Sequence, residues 1–376
     1  MKKMPFIFGK SADSNNFTDR EEESLQLERN FKSSVNTIII SPRRWGKTSL
    51  VENVTNKLKV KNKNIKICLM DVFNIRTEGE FYEYFAKEVL KASASRWEEM
   101  VANAKMYLSH LLPKISFSAD GQSEISFGVD WKTLKKHPDE ILNLPQSIAK
   151  AKNINLIVCI DEFQSIGEFP ESLAFQRKLR AQWQHHHNVA YCLYSSKRTM
   201  LLNIFANSHM PFYKFGDLMF LEKISNEKWA EFIKTKFEES GKRIKIEQAE
   251  YLAQLVDNHS YYVQQLAQQS WLRTATSCNV KIIDAALQGI KNQLSLLFVG
   301  QIETLSPTQI NFLKAIIDGV SEFSTQDNLR KYRLGSSANI SKIKKTLSNR
   351  EIIDIIGTDI EILDPIFKLW LIENYF

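Results

Sequence analysis

Gly46-Lys47-Thr48 follows a short β-branched run at residues 36–40 and precedes a stretch of helical spacing from 49 to 59. A phosphate-binding loop needs that context. Backbone N–H groups and the positive end of a helix face the anion, the lysine reaches the terminal phosphates, and the hydroxyl takes Mg²⁺. The candidate nucleotide contacts are Ser41, Pro42, Arg43, Arg44, Trp45, Gly46, Lys47, Thr48 and Ser49, with Thr48 also a candidate metal ligand. The usual eight-residue pattern opens on glycine, and Ser41 stands in that place.

A second pair of groups completes such a site. The apolar run at 154–160 ends on Asp161-Glu162, and open parallel sheets bind ligands at the carboxyl ends of their strands. Asp161 is suited to hold Mg²⁺ directly or through its water. Glu162 is suited to orient the attacking water and take its proton. An acidic pair at a helix N-terminus would also suit the helix dipole, yet both halves stand in the right order on the right elements. A third apolar run, 190–194, ends at Ser195-Ser196. Ser196 is a candidate sensor between the γ-phosphate and the carboxylate, or a cap for the next helix. The candidate catalytic residues are therefore Glu162, Lys47 and Ser196. Arg43, Arg44, Arg177, Arg180 and Arg198 are candidates for an arginine finger, and the sequence does not choose among them. His185, His186 and His187 point in different directions on a helix, so a helix end outweighs a metal site there.

The elements that must position these groups alternate strand and helix through residue 221. Helices are expected at 18–34, 49–59, 77–92, 96–112, 138–152 and 172–187. Strands are expected at 36–40, 65–72, 154–160, 190–194 and 218–221. The strands read as continuous apolar runs, the pattern of a parallel sheet covered on both faces. Residues 115–129 alternate around Asp120-Gly121, a hairpin signal. From 226 to 292 helical periodicity dominates. Three further helices (306–317, 325–331 and 336–350) precede an alternating stretch from 352 to 363. The expected domains are 1–222, with a helix and hairpin insertion around 96–136, then 223–299 and 300–376. The lysine-rich turn at 57–66 reads as a solvated loop or a basic contact patch.

The chain has 376 residues, 43% of them hydrophobic and 25% charged, enough for ordinary globular cores. A net charge of +7 permits an acidic partner without requiring one. The four cysteines lack the spacing of a zinc or redox pair and read as buried thiols in a reducing compartment. The first ten residues lack the apolar stretch of a signal peptide. No run approaches the ~18 apolar residues of a membrane span. The expected location is cytoplasmic, with no membrane partner.

The segments SPRRWGKTSL, VCIDEFQSI and YCLYSSKRTMLLNIF resemble the archaeal-type ATPases, AAA+-like proteins of the STAND group. FTDREEE from Phe17 resembles the family's segment near the adenine. PFYKFGDLMFLEKI from Pro211 resembles its fifth-strand region. DNHSYYVQQLAQQSW from Asp257 resembles the lid segment, with Asn258 and Ser260 where glycine and proline usually stand; His259 and Tyr261 remain candidates for nucleotide sensing. The resemblance covers nearly the whole chain. It implies an α/β P-loop NTPase fold with a five-stranded parallel sheet, a helical lid domain and a C-terminal winged helix. It also implies slow, Mg²⁺-dependent ATP hydrolysis as a conformational switch, with ATP and ADP as ligands.

The last module adds a second reading. Residues 325–350 carry seven bases against one acid, Asp327, as a helix-turn-helix for a DNA groove would. Residues 351–364 carry five acids and no base, and phosphates would repel such a wing. An ATP-modulated DNA-binding regulator is thus the alternative to a switch that docks on its own core, on a protein partner or on a second copy. LDPIFKLW from Leu363 resembles the segment where longer relatives continue into a nuclease-like domain, so no nuclease is expected in this chain.

Overall fold

The run TIII at Thr37–Ile40 is buried throughout, as a strand covered on both faces must be, and the rest of the first sheet is built around it. The structure, a computed structural model, describes residues 4–12, 16–108, 115–117, 125–127 and 138–376. It divides into two compact units: Arg20–Glu222, and Lys223–Phe376 together with the described residues of Met1–Asp19.

In the first unit the strands are β1 (Thr37–Ile40), β2 (Ile65–Asp71), β5 (Asn155–Asp161), β6 (Val189–Ser195) and β7 (Asp217–Phe220). They pair in parallel in the order β2-β5-β6-β1-β7. Helix α1 (Glu21–Lys32) leads into β1, α2 (Lys47–Lys61) follows it, and α3 (Glu78–Ser93) follows β2. Thr77 caps α3 by accepting the Glu80 N–H. The core is rich in aromatics: Phe81, Phe85, Phe163, Phe175, Trp183 and Tyr191 are all buried. Gly216, at the entry to β7, passes so close to Asn36 that a Cβ there would lie 2.3 Å from its carbonyl oxygen. Only glycine lets β7 pair with β1.

Several expectations are corrected in detail. The helix expected at 172–187 ends at Trp183, because His186 turns inward. Its ring bonds the Tyr191 hydroxyl and Asn143 Oδ1 at 2.9 and 3.0 Å. The histidine run thus forms the turn that follows the helix, with the His185 and His186 N–H groups bonded to the Gln182 and Trp183 carbonyls. The inserted helix is described as α4 (Trp97–Tyr107), and the hairpin strands are β3 (Ile115–Phe117) and β4 (Ile125–Phe127), antiparallel. The Asp120-Gly121 turn lies outside the described residues.

The second unit is helical up to a short hairpin near its end. Helices Asn226–Glu239, Ile246–Leu255, Ser260–Arg273 and Val280–Glu303 precede Pro307–Ile317, Gln326–Lys331 and Ser337–Asn349. The hairpin β8 (Ile353–Ile356) and β9 (Asp359–Ile362) and a last helix, Pro365–Asn374, close the chain. One continuous apolar cluster runs from Ile224 to Leu371. A division at residue 300 therefore falls within the hydrogen-bonded helix Val280–Glu303. Phe6 is buried in that cluster, with ring contacts to Phe232 and Phe237. Gln264 and Gln268 bond the backbone of Ile7 and Phe6. This burial carries the start of the chain into the second unit, whereas the sequence grouped residues 1–222. All four cysteines are buried free thiols. Among the described residues no helix is long and apolar enough to cross a membrane.

Candidate active site

The loop between β1 and α2 takes its shape from two left-handed residues, Arg44 (φ 65°) and Gly46 (φ 93°). Gly46 caps α2, and a Cβ there would meet no atom within 4 Å, so the glycine answers to backbone conformation rather than to space. Ser41 is not among the residues with positive φ. It is buried, and its hydroxyl donates to the Pro42 carbonyl at 3.1 Å. A serine at the opening position of the loop therefore costs no left-handed strain.

Lys47 is buried and donates to the Ser41 and Pro42 carbonyls at 3.2 and 2.9 Å. The loop thus curls around its own ammonium group. Trp45 and Ser49 are buried, while Arg43 and Arg44 are exposed. Thr48 Oγ1 donates to Asp161 Oδ2 at 3.0 Å. That bond joins the start of α2 to the end of β5 across the intervening β6. Burial pushes the Asp161 carboxyl up to about 6; the neighbouring Glu162 charge adds to this, while the Glu162 N–H, the Thr48 hydroxyl and Lys47 oppose it. A hydroxyl and a carboxylate in a pocket that disfavours the bare anion are hard oxygen donors fit for Mg²⁺.

Glu162 itself is left-handed, φ 51°, a conformation uncommon for a residue with a Cβ. It turns the chain from β5 into the 3-10 turn Phe163–Glu168. Its Oε2 accepts two bonds, from Ser196 Oγ at 3.0 Å and from Gln164 Nε2 at 2.6 Å. Ser196 thus stands on the carboxylate; the helix Arg198–Phe205 starts from Lys197 without a side-chain cap, and Ser195 Oγ accepts the Lys197 N–H. Gln164 was not legible as a site residue. It is 1% exposed, and among the described residues its Oε1 has no hydrogen-bond partner. Its only sequence signal is an amide two residues beyond the acidic pair, between Phe163 and Ile166.

The other candidates separate. Arg180 lies over the Phe215 ring at 5.0 Å, a structural contact. Arg20 is buried, bonds Glu23 and the Glu222 carbonyl, and leads into α1, which accounts for the FTDREEE segment locally. In the second unit Asp257 and Asn258 are both left-handed. Aspartate and asparagine tolerate that region better than other residues with a Cβ, so Asn258 can stand where the glycine would; Ser260, in the proline's place, opens the helix Ser260–Arg273. His259 is buried and tilts against Tyr262, and Tyr261 meets Phe8 edge-on.

A family described as a probable winged helix domain matches residues 297–373. No curated protein matches the chain. Two solved structures are similar over nearly the full length of both chains. The Walker-type ATPase PAby2304 of Pyrococcus abyssi is 17% identical over 98% of this chain and 99% of its own, with a TM-score of 0.68. The Aeropyrum pernix ORC2 protein, solved as ADPNP-ADP complexes, is 14% identical over 98% of each chain, with a TM-score of 0.55. Likeness at these identities establishes the fold: a five-stranded parallel P-loop ATPase core and a C-terminal winged helix.

Proposed function

We propose that this chain binds ATP as its magnesium complex on residues 41–49 and hydrolyses it slowly, the nucleotide states acting as a conformational switch. The observation that carries this reading is the 3.0 Å bond from Thr48 Oγ1 to Asp161 Oδ2, which brings the two halves of the sequence motif to one point. The amide N–H groups at the start of α2 would face the phosphates. Lys47 would exchange its loop carbonyls for phosphate oxygens. Thr48 and Asp161 would hold Mg²⁺, which when bound offsets the charge of the phosphate oxygens. With Oε2 of Glu162 held by Ser196 and Gln164, its Oε1 is left to take the proton of an attacking water. The shared fold with a protein solved as ADPNP and ADP complexes supports the ligand class, and the resemblance to switch ATPases supports low turnover.

Lys47→Ala tests the assignment. Fluorescent ATP analogue should bind wild type saturably and the variant not at all, while circular dichroism shows both folded. Retained affinity in the variant would move the site elsewhere.

One set of observations favours the second reading, ATP-modulated DNA binding through residues 325–350. The acids that seemed to forbid it are largely occupied within the fold. Asp354 is buried, Glu361 pairs with Lys223 at 3.1 Å, and Asp364 caps Pro365–Asn374 while accepting the Tyr262 hydroxyl. Asp359 is exposed. Lys342 and Lys345 are exposed, whereas Lys344 lies over the Phe323 ring and Arg350 bonds Thr304.

A further inference from the structure

β2 is an edge strand, and among the described residues it pairs only with β5. Alternate residues of a strand direct their N–H and C=O to the same side; Asn64 and Val72 turn theirs to β5, so Ile65, Ile67, Leu69 and Asp71 face outward, with the Ile65 N–H taken by the Asn62 carbonyl. The strand does not end in flat solvent. It forms the floor of a groove of about 590 Å³, walled by the end of α2 and the end of α3. Ile67 and Leu69 line it, and Leu69 is 43% exposed. Among the described residues four lysines surround it, Lys59, Lys63, Lys66 and Lys91, against a single acid, Glu88.

We propose that this groove docks an extended acidic peptide, a segment alternating carboxylate and apolar residues, which adds to the sheet as a sixth strand beside β2. Three features of the groove match three features of that ligand. The open backbone edge pairs with another backbone in extended conformation. Ile67 and Leu69 take apolar side chains from alternate positions of the added strand. The lysines, three on or just beyond the flanking helices and one on β2 itself, receive the carboxylates. Lysine beside an edge strand also guards against indiscriminate pairing. The two effects agree: the charges that repel neutral and basic strands leave acidic ones favoured. A nucleic acid would satisfy the lysines but neither the backbone groups nor the two apolar side chains. The site is distinct from residues 41–49, and its occupancy does not depend on the ATPase reading.

Fluorescence anisotropy with the full chain tests the proposal. The probes are a labelled octapeptide alternating glutamate and valine, the same peptide with proline at its two central valines, an octapeptide alternating lysine and valine, and a 20-nucleotide single-stranded DNA. The glutamate–valine peptide should bind saturably, and the proline and lysine versions should not. Lys59→Glu with Lys91→Glu, both exposed helix-surface changes, should weaken the acidic peptide at least about tenfold and create binding of the lysine–valine peptide. Circular dichroism confirms that the double variant is folded. Absent or non-saturable binding of the acidic peptide overturns the proposal. So does equal binding of the proline version, which would reduce the groove to an undirected basic patch. DNA that binds tightly and displaces the peptide would make this a nucleic-acid surface instead.

Discussion

The residue that most alters the picture of the site is Gln164. It donates to Glu162 Oε2 from a fully buried position, and with Ser196 it fixes the orientation of the carboxylate proposed to take the water's proton. Ser196 could be placed from sequence because it ends an apolar strand beside the one that carries Asp161. Gln164 could not, because nothing in one sequence distinguishes an amide that reaches back two residues from one that faces solvent. Gln164→Leu should leave Mg-ATP affinity within about threefold of wild type and lower turnover about tenfold, since a carboxylate without its positioning donor spends less time aligned. Parallel titration of nucleotide binding and steady-state hydrolysis measures both. A loss confined to affinity would show that the amide serves binding rather than the carboxylate. That Thr48 and Asp161 meet could be expected from sequence because each needs only its type and its place, one at the start of the helix after an apolar strand and the other at a strand's end.

At the scale of elements, boundaries were read to within a residue or two where a capping side chain announces them, as Thr77, Ser306 and Thr325 do. They were misread where tertiary contacts decide. Helical spacing alone continues past Trp183, but the Asn188 N–H bonds Gln146 and His186 turns into the core. Strand order is not a local property at all; it follows from which apolar face each helix covers. The His186 turn has a measurable signature. Burial, with the adjacent His185 and His187 charges adding, lowers this histidine to about 4 from an ordinary 6.5. The neutral ring donates from Nε2 to Asn143 Oδ1 and accepts the Tyr191 hydroxyl at Nδ1. Below pH 6.5 the unfolded chain binds a proton that the folded chain refuses. Stability is therefore full above about 6.5, falls as the pH drops toward about 4, and levels below it, by up to about 3 kcal/mol in all. Urea denaturation at pH 7 and pH 5 should show about 2 kcal/mol of that loss in wild type and a smaller one in His186→Gln. Equal pH dependence in the two proteins would assign the effect to other groups.

At the scale of the whole molecule, the sequence indicated both a P-loop core and a winged helix, and their folds are now established. The attachment of the chain's start to the second unit was not legible, since Phe6 sits in a four-residue apolar run, residues 5–8, too short to announce an element, and its burial partners lie more than two hundred residues away. The two units also suggest two separable activities. If the winged helix engages DNA, Lys342→Ala with Lys345→Ala should weaken it uniformly across sequences and flatten the salt dependence by about one unit per lost phosphate contact. Gel shifts at several salt concentrations measure this, and wild type that fails to bind DNA at low salt eliminates the reading. The central claim concerns the first unit. It is tested most directly by single-turnover hydrolysis of Mg-ATP by wild type and Glu162→Gln, with nucleotide affinity measured on the same samples. The account predicts unchanged affinity and a rate lower by about 10²–10⁴, because the amide keeps the carboxylate's shape and cannot accept the water's proton. An unchanged rate in the variant, or no hydrolysis by wild type under saturating Mg-ATP, would contradict it.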